Sequence, residues 1–197
     1  FGTRSFTVDF DFVDHQLVIA TSDGQRRGFA LASQSVAAFY WRVMGELGGL
    51  GLPVHIVAKP NELPIAVPFA EDQKPRPYDA DAVHRFWRAL SQADRVLKMF
   101  RGRFIGKCSP VHLFWGSLDL AVTRFSGRRA PLHPGGVPSL PDTVAREAYS
   151  HEVSSAGFWP GGAGADDAAF YSYAYPAPAG FREAKVQPAG AYFDANL

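Results

Sequence analysis

Two aromatic-rich segments of this chain carry the side chains able to do chemistry: His112, Asp119 and Arg124 on one, His151 and Glu152 on the other. A histidine beside a carboxylate is the pairing used in general acid–base catalysis, and an arginine can grip an anionic group through two parallel bonds. His112, Asp119, His151 and Glu152 are therefore the candidate acid–base residues, with Tyr149 as a companion for His151. Arg124, Arg128 and Arg129 are the candidate anion clamp. Arg128 and Arg129 also follow Gly127, where solvated arginines of a turn are ordinary. A polar group on an aromatic strand is costly to bury unless paired, so these positions point to a built site.

Side-chain alternation limits that reading. Val111 to Phe125, taken as one strand, puts His112, Phe114, Leu118, Leu120, Val122 and Arg124 on one face and Trp115, Ser117, Asp119 and Thr123 on the other. His112 and Asp119 then point apart, unless a bulge at Gly116 shifts the phase by one residue. Likewise His151, with Tyr149, Val153, Ser155 and Trp159, opposes Glu152. Tyr171, Tyr173 and Tyr175 form a stripe on a further strand. Trp115, Arg124, His151, Trp159 and Tyr173 are the expected lining of a small-ligand pocket, an aromatic wall with a few polar anchors.

Other chemistries find less support. A catalytic zinc needs about three protein ligands. His112, His151 and Glu152 are the available set, and no metal-binding spacing accompanies them, so no metal is expected. Cys108 follows a helix C-terminus, where the dipole disfavours a thiolate, which suits an inert thiol. No GxSxG elbow occurs, Ser117 lacking the second glycine, and the glycines at 48, 49 and 51 stop a helix without opening a phosphate-binding one. No cofactor is identified.

The elements that must position these residues are readable by period. Phe6 to Phe12 alternates strictly, turns through Val13-Asp14-His15 into Gln16–Ala20, and turns again at Ser22-Asp23-Gly24 into Arg26–Leu31: an antiparallel meander. Ser33 or Ser35 caps a helix bearing Val36, Phe39, Tyr40, Val43 and Leu47. Pro53–Val57 reads as a short strand, and Lys59–Arg76, with four prolines, as an irregular connection. Asp79 caps a long helix to about Phe104 whose buried stripe is Val83, Phe86, Trp87, Leu90, Ala93, Leu97 and Phe100. Strands follow at Val111–Phe125, Tyr149–Trp159 and Phe170–Tyr175, with another starting at Ala191, joined by Gly- and Pro-rich links over Ser126–Pro141 and Pro160–Asp167.

The order points to one α+β domain over residues 1–197, a mainly antiparallel β-sheet packed against one long and one shorter α-helix. The first residue is not Met, and both ends read as cut from a longer protein. A formal net charge of +1 argues against general nucleic-acid binding, where a basic stripe is expected. No apolar run approaches the ~20 residues of a membrane helix, so no membrane partner is expected. The single cysteine fits a reducing, cytoplasmic setting.

The strings FIGKCSPVHLFWGSLDLAVTRFSGRRAP, EAYSHEVSSAGFWPG and FYSYAYP, with FDFVDHQLVIATSDG and YDADAVHRFWRALSQADRVLKMFRGRF before them, resemble DUF5996, a bacterial family of uncharacterised proteins. The likeness covers nearly the whole chain and carries no activity, ligand or catalytic residue with it. The expectation is a soluble domain binding a small molecule in an aromatic, partly polar cavity between sheet and helix. An acid–base enzyme using His112, Asp119, His151 or Glu152 is the first alternative, and a protein-interaction module the second. The sequence leaves the oligomeric state open.

Overall fold

Phe10, Leu17 and Phe29 stand opposite one another across three strands, β1 (Phe6–Asp11), β2 (Gln16–Thr21) and β3 (Arg26–Ala30), in a computed structural model of the chain. That row is why the meander forms: alternate positions carry apolar side chains, so one face is buried while the other meets water. The structure describes residues 2–60, 63, 65–137, 140–162 and 167–194. Parts of the three expected links, and the end of the expected last strand, lie outside them. The described residues 191–194 form no strand.

Asp11 closes the first hairpin turn by accepting the Val13 and Asp14 N–H groups, and Gly24, at φ 89°, supplies the left-handed residue of the second. Helix α1 (Val36–Gly49) starts where Ser35 Oγ accepts the Ala38 N–H at 3.1 Å. Leu17, Ile19, Phe29, Leu47, Leu50 and Leu52 form one core, with Phe6, Phe10, Phe39 and Val43 packed on it. Leu17 and Ile19 are wholly buried, each contributing roughly 1.5–3 kcal/mol by burial.

The strand expected at Pro53–Val57 does not form. Its backbone bonds locally, the Val54 N–H donating to Leu52 O and Val57 O accepting the Lys59 N–H, and Val57 is 87% exposed. Instead, a two-residue ladder joins β4 (Gln34–Ser35) to β5 (Pro75–Arg76), inside the connection read as irregular. Helix α2 (Ala80–Gly102) is capped as expected, Asp79 accepting the Ala82 N–H, and ends two residues short of Phe104. Ala93 and Leu97 are buried on the expected stripe, whereas Trp87 is exposed.

The chain divides into two compact units, Phe1–Ser91 and Gln92–Leu197. The second is built on a four-stranded antiparallel sheet in the order β6 (His112–Phe114), β7 (Asp119–Arg129), β8 (His151–Trp159), β9 (Ala169–Tyr175). The expected single strand Val111–Phe125 is thus two strands. Residues 115–118 turn the chain back, closed by the Leu118 N–H on Phe114 O and by Leu118 in the left-handed region at φ 60°. Gly116 lies in that turn and not in a bulge; the irregularity falls further along, between Phe125 and Arg129, around Gly127 at φ 84°. A short helix, α3 (Asp142–Ala148), which the sequence pattern did not reveal, precedes β8. Among the described residues no helix is long and apolar enough to cross a membrane.

Candidate functional site

Pairing register sorts the four-stranded sheet into two faces of different chemistry. Because Phe114 stands opposite Asp119 and His112 opposite Ala121, the hairpin returns His112, Phe114 and Asp119 to one face. By alternation the same face carries Ser155, Gly157 and Trp159 of β8 and Tyr171, Tyr173 and Tyr175 of β9. The other face carries Val122, Arg124, Phe158 and Phe170.

Asp119 is 8% exposed, and among the described residues it is held by two hydroxyls. Tyr171 Oη donates to its Oδ2 at 2.5 Å, and Ser117 Oγ donates to Oδ1. None of the ion pairs among the described residues includes it. Tyr171 must cross an intervening strand to reach it. It does so over Gly157, where an added Cβ would strike the Tyr171 ring and hydroxyl. Burial, and then the hydrogen bond to Asp119, push the Tyr171 hydroxyl far above its ordinary value of 10.0, so it stays a donor.

Beside this pair the other tyrosines form a connected patch. The Tyr171 and Tyr173 rings are 6.3 Å apart and nearly parallel, and Tyr173 Oη meets Tyr149 Oη at 3.1 Å. Burial first, then that contact, raises the Tyr149 hydroxyl well above its usual range. His133 stacks on Tyr149 at 4.9 Å and lies 5.2 Å from Tyr175, whose hydroxyl donates to Pro131 O. The Gly135 N–H donates to His133 Nδ1 at 3.0 Å, so the neutral ring carries its proton on Nε2. Below the patch the Ser155 and Thr123 hydroxyls bond each other at 3.1 Å.

The remaining candidates are dispersed. Arg124 lies on the opposite face, its guanidinium carbon 3.4 Å over the Phe100 ring and its Nη2 donating to Phe100 O near the end of α2. Its Nε is buried with no hydrogen-bond partner among the described residues. Glu152 takes Arg128 and Ser126; the Arg128 bond chiefly, then Ser126, hold its carboxyl below the usual range. His151 Nδ1 meets Ser150 Oγ at 3.1 Å, and Arg129 is its exposed ladder neighbour. His112 is exposed against Phe114, with ring centroids 4.5 Å apart. Trp115 is 66% exposed in the turn, while Trp159 is half-buried. No hydrogen bond links any two of His112, Asp119, His151 and Glu152. Cys108 is half-buried, a backbone neighbour of Arg124. Among the described residues no group of three metal-ligating side chains is assembled. In the first unit an open depression of about 300 Å³ is lined by Gln16, Val18, Arg26, Arg27 and Gly28.

Sequence reasoning missed His133, which it placed in a proline-rich link, and Gly157. The signal for Gly157 was present: a glycine inside an otherwise aromatic strand marks close approach of another group.

The chain belongs to DUF5996, a family of unknown function, whose model matches residues 1–197. No curated protein matches the chain, and neither does any solved structure.

Proposed function

We propose that this member of DUF5996 is a binding domain for a small organic cation with an aromatic or apolar body, taken on the Asp119 face of β6–β9. The observation that carries the reading is a nearly buried carboxylate without a cationic partner among the described residues. A charge in a low-dielectric setting attracts an opposite charge far more strongly than one in water, and hydroxyl donors compensate it only in part. Around Asp119 the same face offers ring surfaces, Phe114, Trp159 and Tyr171, with Tyr173 beyond, and such rings favour cations over anions. Phe114 is 47% and Tyr173 37% exposed, so apolar surface remains for a ligand to cover.

This reading keeps Trp159 and Tyr173 from the expected lining and brings in Asp119. It leaves Arg124 out, because that residue is engaged with α2 on the other face, and it puts the ligand on the side of the sheet away from Phe100. His151, on the ligand's face by alternation, and Trp115, in the adjoining turn, are peripheral to it.

The test is a binding comparison of three probes of similar size: benzyltrimethylammonium, benzyl alcohol and benzoate. Calorimetric titration of the full chain is expected to show saturable binding of the cation, weaker binding of the alcohol and none of benzoate. The Asp119→Asn variant is expected to lose the preference for the cation. Equal binding of all three, or a preference untouched by Asp119→Asn, contradicts the proposal.

A further inference from the structure

Strand β9 is the outer strand of the four-stranded sheet, and its outward backbone groups have no hydrogen-bond partner among the described residues. Edge strands are normally blunted by a lysine, a proline, an inward charge or a bulge, because unpaired N–H and C=O groups invite another strand. This one reads AFYSYAY, Ala169 to Tyr175, with no charge, no proline and an unbroken register. Phe170 is 57% exposed on one face and Tyr173 37% on the other.

We infer that β9 pairs antiparallel with β9 of a second copy of this chain, about a twofold axis at Ser172. An unpaired ladder accepts an extended strand, and the side chains say which one. In that register Phe170 stands opposite Ala174 and Ala169 opposite Tyr175, large against small in each case. Tyr171 meets Tyr173, and Ser172 meets its own counterpart. A closed two-fold contact requires this self-complementarity, and the uncharged strand brings no like charges together. A foreign peptide gives no reason for this self-complementary spacing of large and small residues about Ser172. The inference is independent of what the Asp119 face binds.

A seven-residue strand pair buries less than the ~1,600 Å² of a standard interface, so the dimer is weak and concentration-dependent. Sedimentation equilibrium of the full chain between about 1 μM and 1 mM, the range for contacts this small, is expected to show mass rising from one chain to two. Ser172→Lys sets two ammonium groups face to face and is expected to move the midpoint roughly fivefold higher. Ser172 is exposed in the single chain, so an unchanged circular dichroism spectrum certifies the variant's fold. In a Cys108→Ser background, Ser172→Cys is expected to form a disulfide-linked dimer under mild oxidation, while Glu183→Cys, beyond the strand, is not. A monomer at every concentration overturns the inference. So does a dimer that ignores Ser172→Lys and does not cross-link through Ser172→Cys, which is what pairing through any other surface gives.

Discussion

Gly157 and Tyr171 show how one missing side chain permits a contact across a strand. Tyr171 reaches Asp119 only because nothing projects from the strand between them. Gly157→Ala is therefore expected to displace the ring and destabilise the second unit more than an ordinary strand substitution, whose sign β-propensity alone makes favourable. Tyr171→Phe keeps the ring and removes one of two hydroxyl donors to a nearly buried carboxylate. Chemical denaturation is expected to register a loss of about 1–3 kcal/mol. The two variants separate shape from hydrogen bonding. The tyrosines also set a pH dependence. Tyr149 and Tyr171 hold their protons more tightly folded than unfolded, so their contribution is complete below the unfolded value of 10.0. Above it the unfolded chain ionises while the folded one does not, and stability falls as pH rises further. Denaturation midpoints measured on either side of pH 10.0 check this. Ultraviolet titration should find both hydroxyls silent until the chain unfolds. The sequence exposed the tyrosine stripe through its period of two. It concealed the Asp119 contact, which depends on strand order and so on pairing between distant segments.

At the scale of elements, the meander and both longer helices were legible because their apolar positions repeat at a fixed period and their caps are conventional. Ser35 caps α1, and Ser35→Ala is expected to cost about 1 kcal/mol in thermal or chemical denaturation. The β6–β7 hairpin was not legible, since Trp115-Gly116-Ser117-Leu118 lacks the Asn-Gly or Asp-Gly signal and continues the aromatic pattern on either side. Its turn depends on a leucine at φ 60°, a conformation glycine adopts without strain. Leu118→Gly is expected to raise stability by about 0.5 kcal/mol, the relief of left-handed strain exceeding the entropy lost. Helix α3 escaped for a different reason: Ala145 is its buried residue, so its seven residues carry no apolar stripe to read. The Pro53–Val57 segment failed in the opposite sense, its β-type composition finding no strand to pair with.

Over the whole chain, 20 basic and 19 acidic side chains nearly cancel, and the ion pairs among the described residues all retain solvent exposure. Such pairs contribute little each and are screened by salt, so raising ionic strength tenfold from about 0.1 M is expected to shift stability by less than about 1 kcal/mol. Against that even background Asp119 stands out as a carboxyl group withdrawn from water with no cationic partner among the described residues, and the proposed function depends on it. The most direct measurement is a nuclear magnetic resonance titration of the isotope-labelled full chain with benzyltrimethylammonium. Saturable shifts centred on Phe114, Asp119, Gly157, Trp159 and Tyr171, abolished by Asp119→Asn, are the result expected. Shifts centred elsewhere, or a response at Asp119 that survives the substitution, would contradict the assignment of this face as the binding site.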